Sequence, residues 1–286
     1  MKNEAIYNAI NILVILVTAV MFILEYKDAQ VIFEGKNIWN IILIFVVAFI
    51  VHFIKASRLY FVLYGSKIDI CTYTKIYCKV TPVSLMFPYK VGEFFRMYCY
   101  GQNMKNMLKG IVTIILDRFM DTTALLTILL LIILFNGGKI TAFTYILLLF
   151  LLCILLIYFV YPDIYIFWKK YILNAKATKT NIMILKILDA FNNVYLEVMN
   201  ISKGKGVILY FMSLIAWLCE ISGIVLIGGI VEDEQINKTI ANYLSSAVGK
   251  DISYELKQFI FVSVIIMIVV YSIIKIFEMI TRKKEI

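Results

Sequence analysis

Long apolar segments separated by short polar ones run along the whole chain, and their lengths predict helices. Six of these segments are long enough to cross the ~30 Å hydrocarbon core of a bilayer in helical conformation. Their boundaries are residues 6–24, 38–54, 110–135, 143–161, 206–231 and 258–280. The pattern therefore predicts an all-α fold, a polytopic transmembrane helical bundle with about six spans.

A further apolar segment, residues 76–101, is interrupted by Pro82, Pro88 and Gly92. A continuous helix would lose backbone hydrogen bonds at both prolines. Two half-helices that enter and leave the membrane on one side avoid this loss, as discontinuous helices do in transporters. We therefore expect a re-entrant broken helix pair, and a kinked full span is the competing interpretation.

The composition agrees with a membrane protein, because 62% of the residues are hydrophobic and only 16% are charged. Soluble domains have about 45–50% and about 25%. The first apolar segment, Ile6–Leu24, is too long for a signal-peptide core and lacks a small-residue cleavage site, so we expect it to be retained. We expect residues 1–286 to form a single transmembrane domain with no soluble catalytic domain.

Cysteine and histidine give no support for a metal or cofactor site. The five cysteines include no C-x-x-C pair, and His52 is the only histidine. Buried filler is the usual role of such cysteines, and His52 is expected to be packed or interfacial. We therefore expect no metal, no cofactor and no catalytic residues.

The distribution of basic residues predicts the topology. Most of the 28 lysines and arginines lie in the N-terminus, residues 55–109, residues 162–205 and the C-terminal end. The positive-inside rule then makes both termini cytoplasmic, with six crossings and a re-entrant pair. A full crossing at residues 76–101 would place the basic 162–205 segment outside. Because these charges border membrane spans, we expect anionic lipid as the partner and no nucleic acid.

Residues 182–200 show a helical repeat of apolar positions, such as Ile184, Ile187 and Phe191, opposite polar ones such as Lys186 and Asp189. This pattern is typical of an amphipathic helix that lies at a membrane surface. A soluble helix that covers the cytoplasmic end of the bundle is the other interpretation.

Charged residues cluster at two places inside apolar sequence. Glu93 and Arg96 share a helix face, and Asp117, Arg118 and Asp121 follow in the next span. Ionisable groups are costly in a bilayer, so they need partners. We predict pairing of Glu93 with Arg118, and of Arg96 with either aspartate.

This network has two interpretations: a clamp that fixes the broken helix, or a polar slot for a lipid headgroup or a coupling ion. Helix termini freed at Pro82 and Pro88 would offer N–H groups to phosphate, and Lys90 would stand at the cytoplasmic entrance. Glu220, in the fifth span, is expected to be protonated or paired with an arginine of the cluster. No Ser-His-Asp set or metalloprotease motif accompanies these residues.

At these positions the chain resembles the lysylphosphatidylglycerol synthase transmembrane-region family, a flippase-like membrane module. The family pattern T-P-x(n)-G-E-x-x-R matches Thr81-Pro82, Gly92-Glu93 and Arg96, and its acidic-Arg-x-x-Asp element matches residues 117–121. The agreement covers about residues 40–231. A late Pro-Gly-Gly-like segment of the family has no proline in the corresponding residues 244–253. We expect no aminoacyltransferase domain within residues 1–286.

The resemblance implies lipid handling in the plasma membrane. The leading hypothesis is binding and translocation of an anionic phospholipid or a polyprenyl-phosphate-linked sugar. The headgroup-binding residues would be Lys90, Glu93, Arg96, Asp117, Arg118 and Asp121, supported by Thr81, Pro82, Gly92 and Glu220. One alternative is a lipid-modifying transferase of the phosphatidylglycerol lysyltransferase type, or its membrane subunit beside a separate transferase partner. The other is a membrane scaffold with a structural charge network.

Overall fold

The computed structural model describes residues 2–27, 33–35, 37–63, 68–87, 91–136, 142–175, 178–228 and 254–284. Over these residues the chain forms nine helices and no strands, which confirms the all-α prediction. The helices are α1 (Lys2–Glu25), α2 (Ile38–Leu63), α3 (Ile70–Met86), α4 (Gly92–Asn103), α5 (Met107–Asn136), α6 (Ala142–Asn174), α7 (Lys179–Ser202), α8 (Gly206–Gly228) and α9 (Tyr254–Lys284).

Five of these helices are long and apolar enough to cross a membrane, namely α1, α2, α6, α8 and α9. They correspond to five of the six predicted spans and confirm a polytopic membrane protein. The predicted third span, residues 110–135, is also a helix, α5, but three charged residues, Asp117, Arg118 and Asp121, lie within it. Over its described residues, α5 is not among the helices that are apolar enough to cross a membrane. The crossing of this segment therefore stays a prediction.

The broken helix predicted at residues 76–101 is present as the separate helices α3 and α4, but the break differs from the prediction. Pro82 lies inside α3, so the prediction of a helix terminus there is wrong. The Thr81 hydroxyl donates to the Tyr77 carbonyl oxygen at 2.7 Å, which adds a hydrogen bond beside the one that proline removes. Instead, α3 ends at Met86 and α4 begins at Gly92. The helix also begins earlier than expected, because Asp69 caps its first turn.

The chain divides into two compact units, one of residues 1–110 with 215–286 and the other of residues 111–214. In the first unit, α3 contacts α9, α4, α1 and α2, so the N-terminal half of the broken helix is at the centre of that unit's packing. A cluster of buried residues, Tyr26, Ile260 and Val264, joins the end of α1 to α9. Sequence analysis did not identify this central position of α3.

The second unit contains the pair α6 and α7, which pack together. The Tyr161 and Tyr195 rings lie 5.1 Å apart, and Tyr165 and Lys169 both bond to Asp189, at 2.8 and 3.2 Å. The bonds from Tyr165 and Lys169 hold the pKa of the Asp189 carboxyl below its usual value. These contacts hold the turns on both sides of Pro162, and α6 continues through that proline beyond the predicted end at residue 161. The amphipathic segment 182–200 is confirmed as helical within α7, and its position at a membrane surface stays a prediction.

Candidate functional site

The candidate site is built on the α3–α4 hairpin of the first unit. The two helices are antiparallel, because Tyr73 lies beside Tyr100 (6.1 Å between rings) and Tyr77 lies beside Arg96 (5.8 Å). The start of α4 therefore meets the end of α3. Gly92, the first residue of α4, permits this approach, since a Cβ there would lie 2.5 Å from the Val83 carbonyl oxygen.

Glu93 and Arg96 occupy the first turns of α4, directly after the break. Both side chains are buried, and Arg96 Nη1 lies 3.5 Å from Glu93 Oε2. The i,i+3 spacing predicted from the sequence therefore does bring them onto one face. The carboxylate at this position interacts favourably with the positive end of the helix dipole. The Arg96 guanidinium also lies over the ring of Tyr77.

His52 belongs to the same buried region, although sequence analysis gave it only a packed or interfacial role. It is buried in α2, with its ring stacked on Phe259 of α9 at 5.9 Å between centroids. The Tyr77 hydroxyl lies 3.4 Å from both the carbonyl oxygen and Nδ1 of His52. Tyr77 therefore contacts Arg96 with its ring and His52 with its hydroxyl, which joins α2 to the start of α4.

The same end of α2 carries two cationic side chains that the sequence analysis missed. Lys55 donates to Glu220 Oε2 at 2.7 Å and lies over the Trp217 ring at 5.2 Å. Arg58 is 1% exposed. Glu220 was expected to be protonated or paired with an arginine of the cluster, and the structure gives it Lys55 as an ion-pair partner. The available signal was the recurrence of polar residues at every third position, 52, 55 and 58, near the end of an apolar helix.

The acidic-arginine cluster of α5 lies in the second unit. The Asp117 side chain is fully buried, and Arg118 Nη2 lies 3.1 Å from Asp117 Oδ2. Arg118 Nη1 is 3.6 Å from Asp121 Oδ2, as the i,i+3 spacing predicted. One guanidinium therefore interacts with two carboxylates of its own helix. The predicted pairs of Glu93 with Arg118, and of Arg96 with either aspartate, join residues of different units and stay predictions.

Two of the predicted positions lie outside the described residues. They are Lys90, the predicted entrance residue, and the segment 244–253. Thr81 and Pro82 are in the penultimate turn of α3, where they shape the helix before the break. In the described part of the chain, no group of three or more His, Cys, Asp or Glu side chains could hold a metal ion.

The region formed by α2, α3, α4 and α8 contains two buried ion pairs, Glu93–Arg96 and Lys55–Glu220. Buried groups of this kind can bind a charged headgroup or fix the packing.

One comparison with known proteins identifies a family for this chain. The family model described as "Lysylphosphatidylglycerol synthase TM region" matches residues 8–234, a range that contains α2 to α8. No curated protein and no solved structure gives a significant match.

Proposed function

Because the chain belongs to the lysylphosphatidylglycerol synthase TM region family, we propose that it binds a phosphate-containing lipid and moves it between the leaflets of the membrane. The substrate class is an anionic phospholipid or a polyprenyl-phosphate-linked sugar. The site we propose in the first unit consists of Glu93 and Arg96, with His52 and Tyr77 beside them.

The observation that carries the proposal is the buried Glu93–Arg96 pair at the first turn of α4. A charged side chain in the membrane interior costs about 2.5–3.5 kcal/mol on insertion scales. Replacing a buried ion pair by apolar residues is often neutral or stabilising, so stability alone does not account for it. A second buried pair, Lys55–Glu220, lies on neighbouring helices. A purely structural role for both pairs would require the fold to bear this insertion cost twice.

The geometry suits a phosphate group. Arg96 offers a planar guanidinium that can donate two parallel hydrogen bonds to phosphate oxygens. The first N–H groups of α4 follow the break and favour an anion at the same end of the helix. Glu93 holds the guanidinium in the absence of lipid and would release part of it when phosphate binds.

For the orientation, we propose the plasma membrane with both termini in the cytoplasm, as the excess of basic residues at 55–109 and 162–205 favours. Phospholipid would then enter from the basic, cytoplasmic side.

The test is lipid translocation by the purified chain in vesicles that contain fluorescent phosphatidylglycerol, with chemical bleaching of the outer leaflet. Arg96→Lys keeps the charge but loses the bidentate fork, so we expect the rate to fall about tenfold or more while the melting temperature changes little. Lys169→Arg is the control, because it changes a charged side chain of the exposed Lys169–Asp189 pair without changing its charge.

Transport by Arg96→Lys at the rate of the unchanged protein would remove Arg96 from the site. A rate that falls only in proportion to lost folded protein would favour the scaffold hypothesis. No translocation by the unchanged protein, with retained phosphatidylglycerol, would favour the membrane subunit of a lipid-modifying transferase.

A further inference from the structure

Three helices of the first unit, α2, α3 and α9, each carry a buried polar atom for which the described residues provide no hydrogen-bond partner. The atoms are Nε2 of His52, Oγ of Ser84 and Oγ of Ser263. His52 is 5% exposed and Ser263 is fully buried. A buried polar atom without a partner destabilises a fold, and few occur in native proteins. Three such atoms in one unit therefore point to a further molecule as their partner.

The first two of these residues lie on faces of α2 and α3 that meet at Tyr77. The Tyr77 hydroxyl lies 3.4 Å from both the carbonyl oxygen and Nδ1 of His52. Ser84 follows Tyr77 by seven residues, which is two helical turns, and α3 continues through Pro82 between them. Ser84 is therefore on the face of α3 that meets α2.

Ser263 lies on the corresponding face of α9. The Phe259 ring stacks on the His52 ring, and Ser263 comes one turn later on the same face. The residues that follow Ser84 and Ser263 pack together in one buried cluster, so these two serines are at the same level of the unit. Both α2 and α3 contact α9. We call His52, Ser84 and Ser263 the His52 cluster.

The His52 cluster borders the site proposed for phosphate. Gly92, the first residue of α4, lies against Ser84, because a Cβ there would be 2.6 Å from the Ser84 Cα. Arg96 follows in the next turn of α4, and its guanidinium lies over the Tyr77 ring. A headgroup whose phosphate is at the start of α4 therefore has its remaining atoms beside this cluster.

The proton count shows which groups the cluster can bind. The Tyr77 hydroxyl has one proton, which it donates to the His52 carbonyl oxygen. Nδ1 of the neutral imidazole then donates to that hydroxyl, so Nε2 carries a lone pair. A serine hydroxyl both donates and accepts. One acceptor and two hydroxyls match the alcohol groups of a ligand, and an uncharged cluster offers no counter-ion to an ammonium or to a second phosphate.

We propose that the His52 cluster binds the hydroxyl groups of a lipid headgroup whose phosphate is held at Arg96. It rests on the proposed function and narrows the substrate to a lipid whose phosphate carries a polyol, either glycerol or a sugar. Nε2 of His52 accepts from one hydroxyl, and the serine hydroxyls bond to the others. Tyr77 and Ser84 are two turns apart, about 10 Å, so a polyol can contact several of these atoms where one water cannot. Because the three atoms are closed to solvent, the headgroup reaches them only when α2 and α9 move apart, a gating motion of the kind that transport requires.

The test compares two short-chain lipids of the same charge, dihexanoylphosphatidylglycerol and dihexanoylphosphatidylpropanol, whose three-carbon headgroup has no hydroxyl. Each is added to the full purified chain in a non-ionic detergent, and the melting temperature is followed against lipid concentration to give an apparent Kd. We expect the unchanged protein to bind the glycerol lipid about tenfold more tightly, since the propanol lipid leaves the buried atoms without partners. Glycerol alone should give no shift at the same concentrations.

The variants separate hydroxyl recognition from packing. His52→Asn keeps an amide N–H near the position of Nδ1 but has no atom at Nε2. We expect it to raise the Kd of the glycerol lipid about threefold to tenfold and to leave that of the propanol lipid unchanged. His52→Gln, which places an amide oxygen near Nε2, should recover part of this loss. Ser263→Ala should also weaken only the glycerol lipid, and Ser213→Ala is its control, because the Ser213 hydroxyl already donates to the Leu209 carbonyl oxygen.

Arg96→Lys should weaken both lipids alike, because both carry the same phosphate diester. Equal Kd values for the two lipids, with both weakened by Arg96→Lys, would overturn the hydroxyl site alone and assign the three atoms to buried water. Equal losses for both lipids in His52→Asn would indicate a packing role and overturn it too. No binding of either lipid by the unchanged protein would overturn the proposed function as well.

A His52-dependent shift with glycerol alone would overturn the assignment to a lipid headgroup. Ser263→Ala, compared with Ser213→Ala, serves as the readout if the His52 variants do not fold.

Discussion

The Lys55–Glu220 pair offers a test of how much a buried ion pair contributes to this fold. The two side chains meet at 2.7 Å although they are 165 positions apart in the sequence. Glu220 is 4% exposed and Lys55 is 18% exposed. Replacing Glu220 by glutamine keeps the shape of the side chain but leaves the ammonium of Lys55 without this partner.

The expected magnitude follows from the burial of both partners. Removing one member of a buried pair costs about 3–5 kcal/mol, because the other charge remains in a poorly solvated place. Lys55 is partly exposed and can reach water with small movements, so we expect about 2–4 kcal/mol for Glu220→Gln. The Lys75–Glu278 pair is 28% and 35% exposed. Glu278→Gln should therefore cost about 1 kcal/mol or less.

The assay is reversible unfolding in mixed micelles, with the free energy of unfolding compared among Glu220→Gln, Lys55→Met and the double variant. Removing both charges should recover part of the loss, with a coupling energy of about 1–3 kcal/mol between the two positions. Glu278→Gln serves as the control for a carboxylate of the same kind on a neighbouring helix.

Two results would refute this reasoning. If Glu220→Gln costs no more than Glu278→Gln, the burial of the pair does not determine its contribution. If the double variant loses the sum of the two single losses, the side chains act independently, and the ion pair is not what holds α2 against α8.

Two further predictions concern the hairpin and the topology. Gly92→Ala should destabilise the protein by about 2–3 kcal/mol, because the added methyl group meets the backbone of α3 at Val83 and Ser84. Gly206→Ala, where the nearest atom is a side-chain methyl at 3.6 Å, should have little effect, and equal losses in thermal unfolding would contradict this explanation. Cysteine-accessibility labelling on a cysteine-free background should place Lys176→Cys and both termini in the cytoplasm. External labelling at position 176 would favour a full crossing at residues 76–101.

The sequence alone was sufficient for those features that depend on neighbouring residues. Apolar segments of about 20 residues predict membrane helices because the hydrocarbon thickness and the rise per residue are fixed. The break before α4 was also predictable, since proline and glycine act on the local backbone. Glu93 with Arg96, and Arg118 with Asp121, are three positions apart, and any helix brings such residues onto one face.

Local signals were misleading where other parts of the chain contribute. Pro82 was expected to end a helix, yet α3 continues through it, with Thr81 bonding to the preceding turn and α9, α4 and α1 packed around that helix. Pro162 lies inside α6 for the related reason that residues on both sides of it contact α7. Tertiary contacts can hold a turn that the local sequence would open.

The sequence by itself therefore determined the class of the protein, the helices, the break and the presence of buried charge. Only the tertiary structure decided which polar and charged side chains on different helices meet. Lys55 reaches Glu220, and Lys79 reaches Tyr7 and Asn11 across about 70 positions, because packing brings distant helices together. A charged residue in an apolar helix needs a partner, but the residues next to it in the sequence do not specify which helix provides that partner.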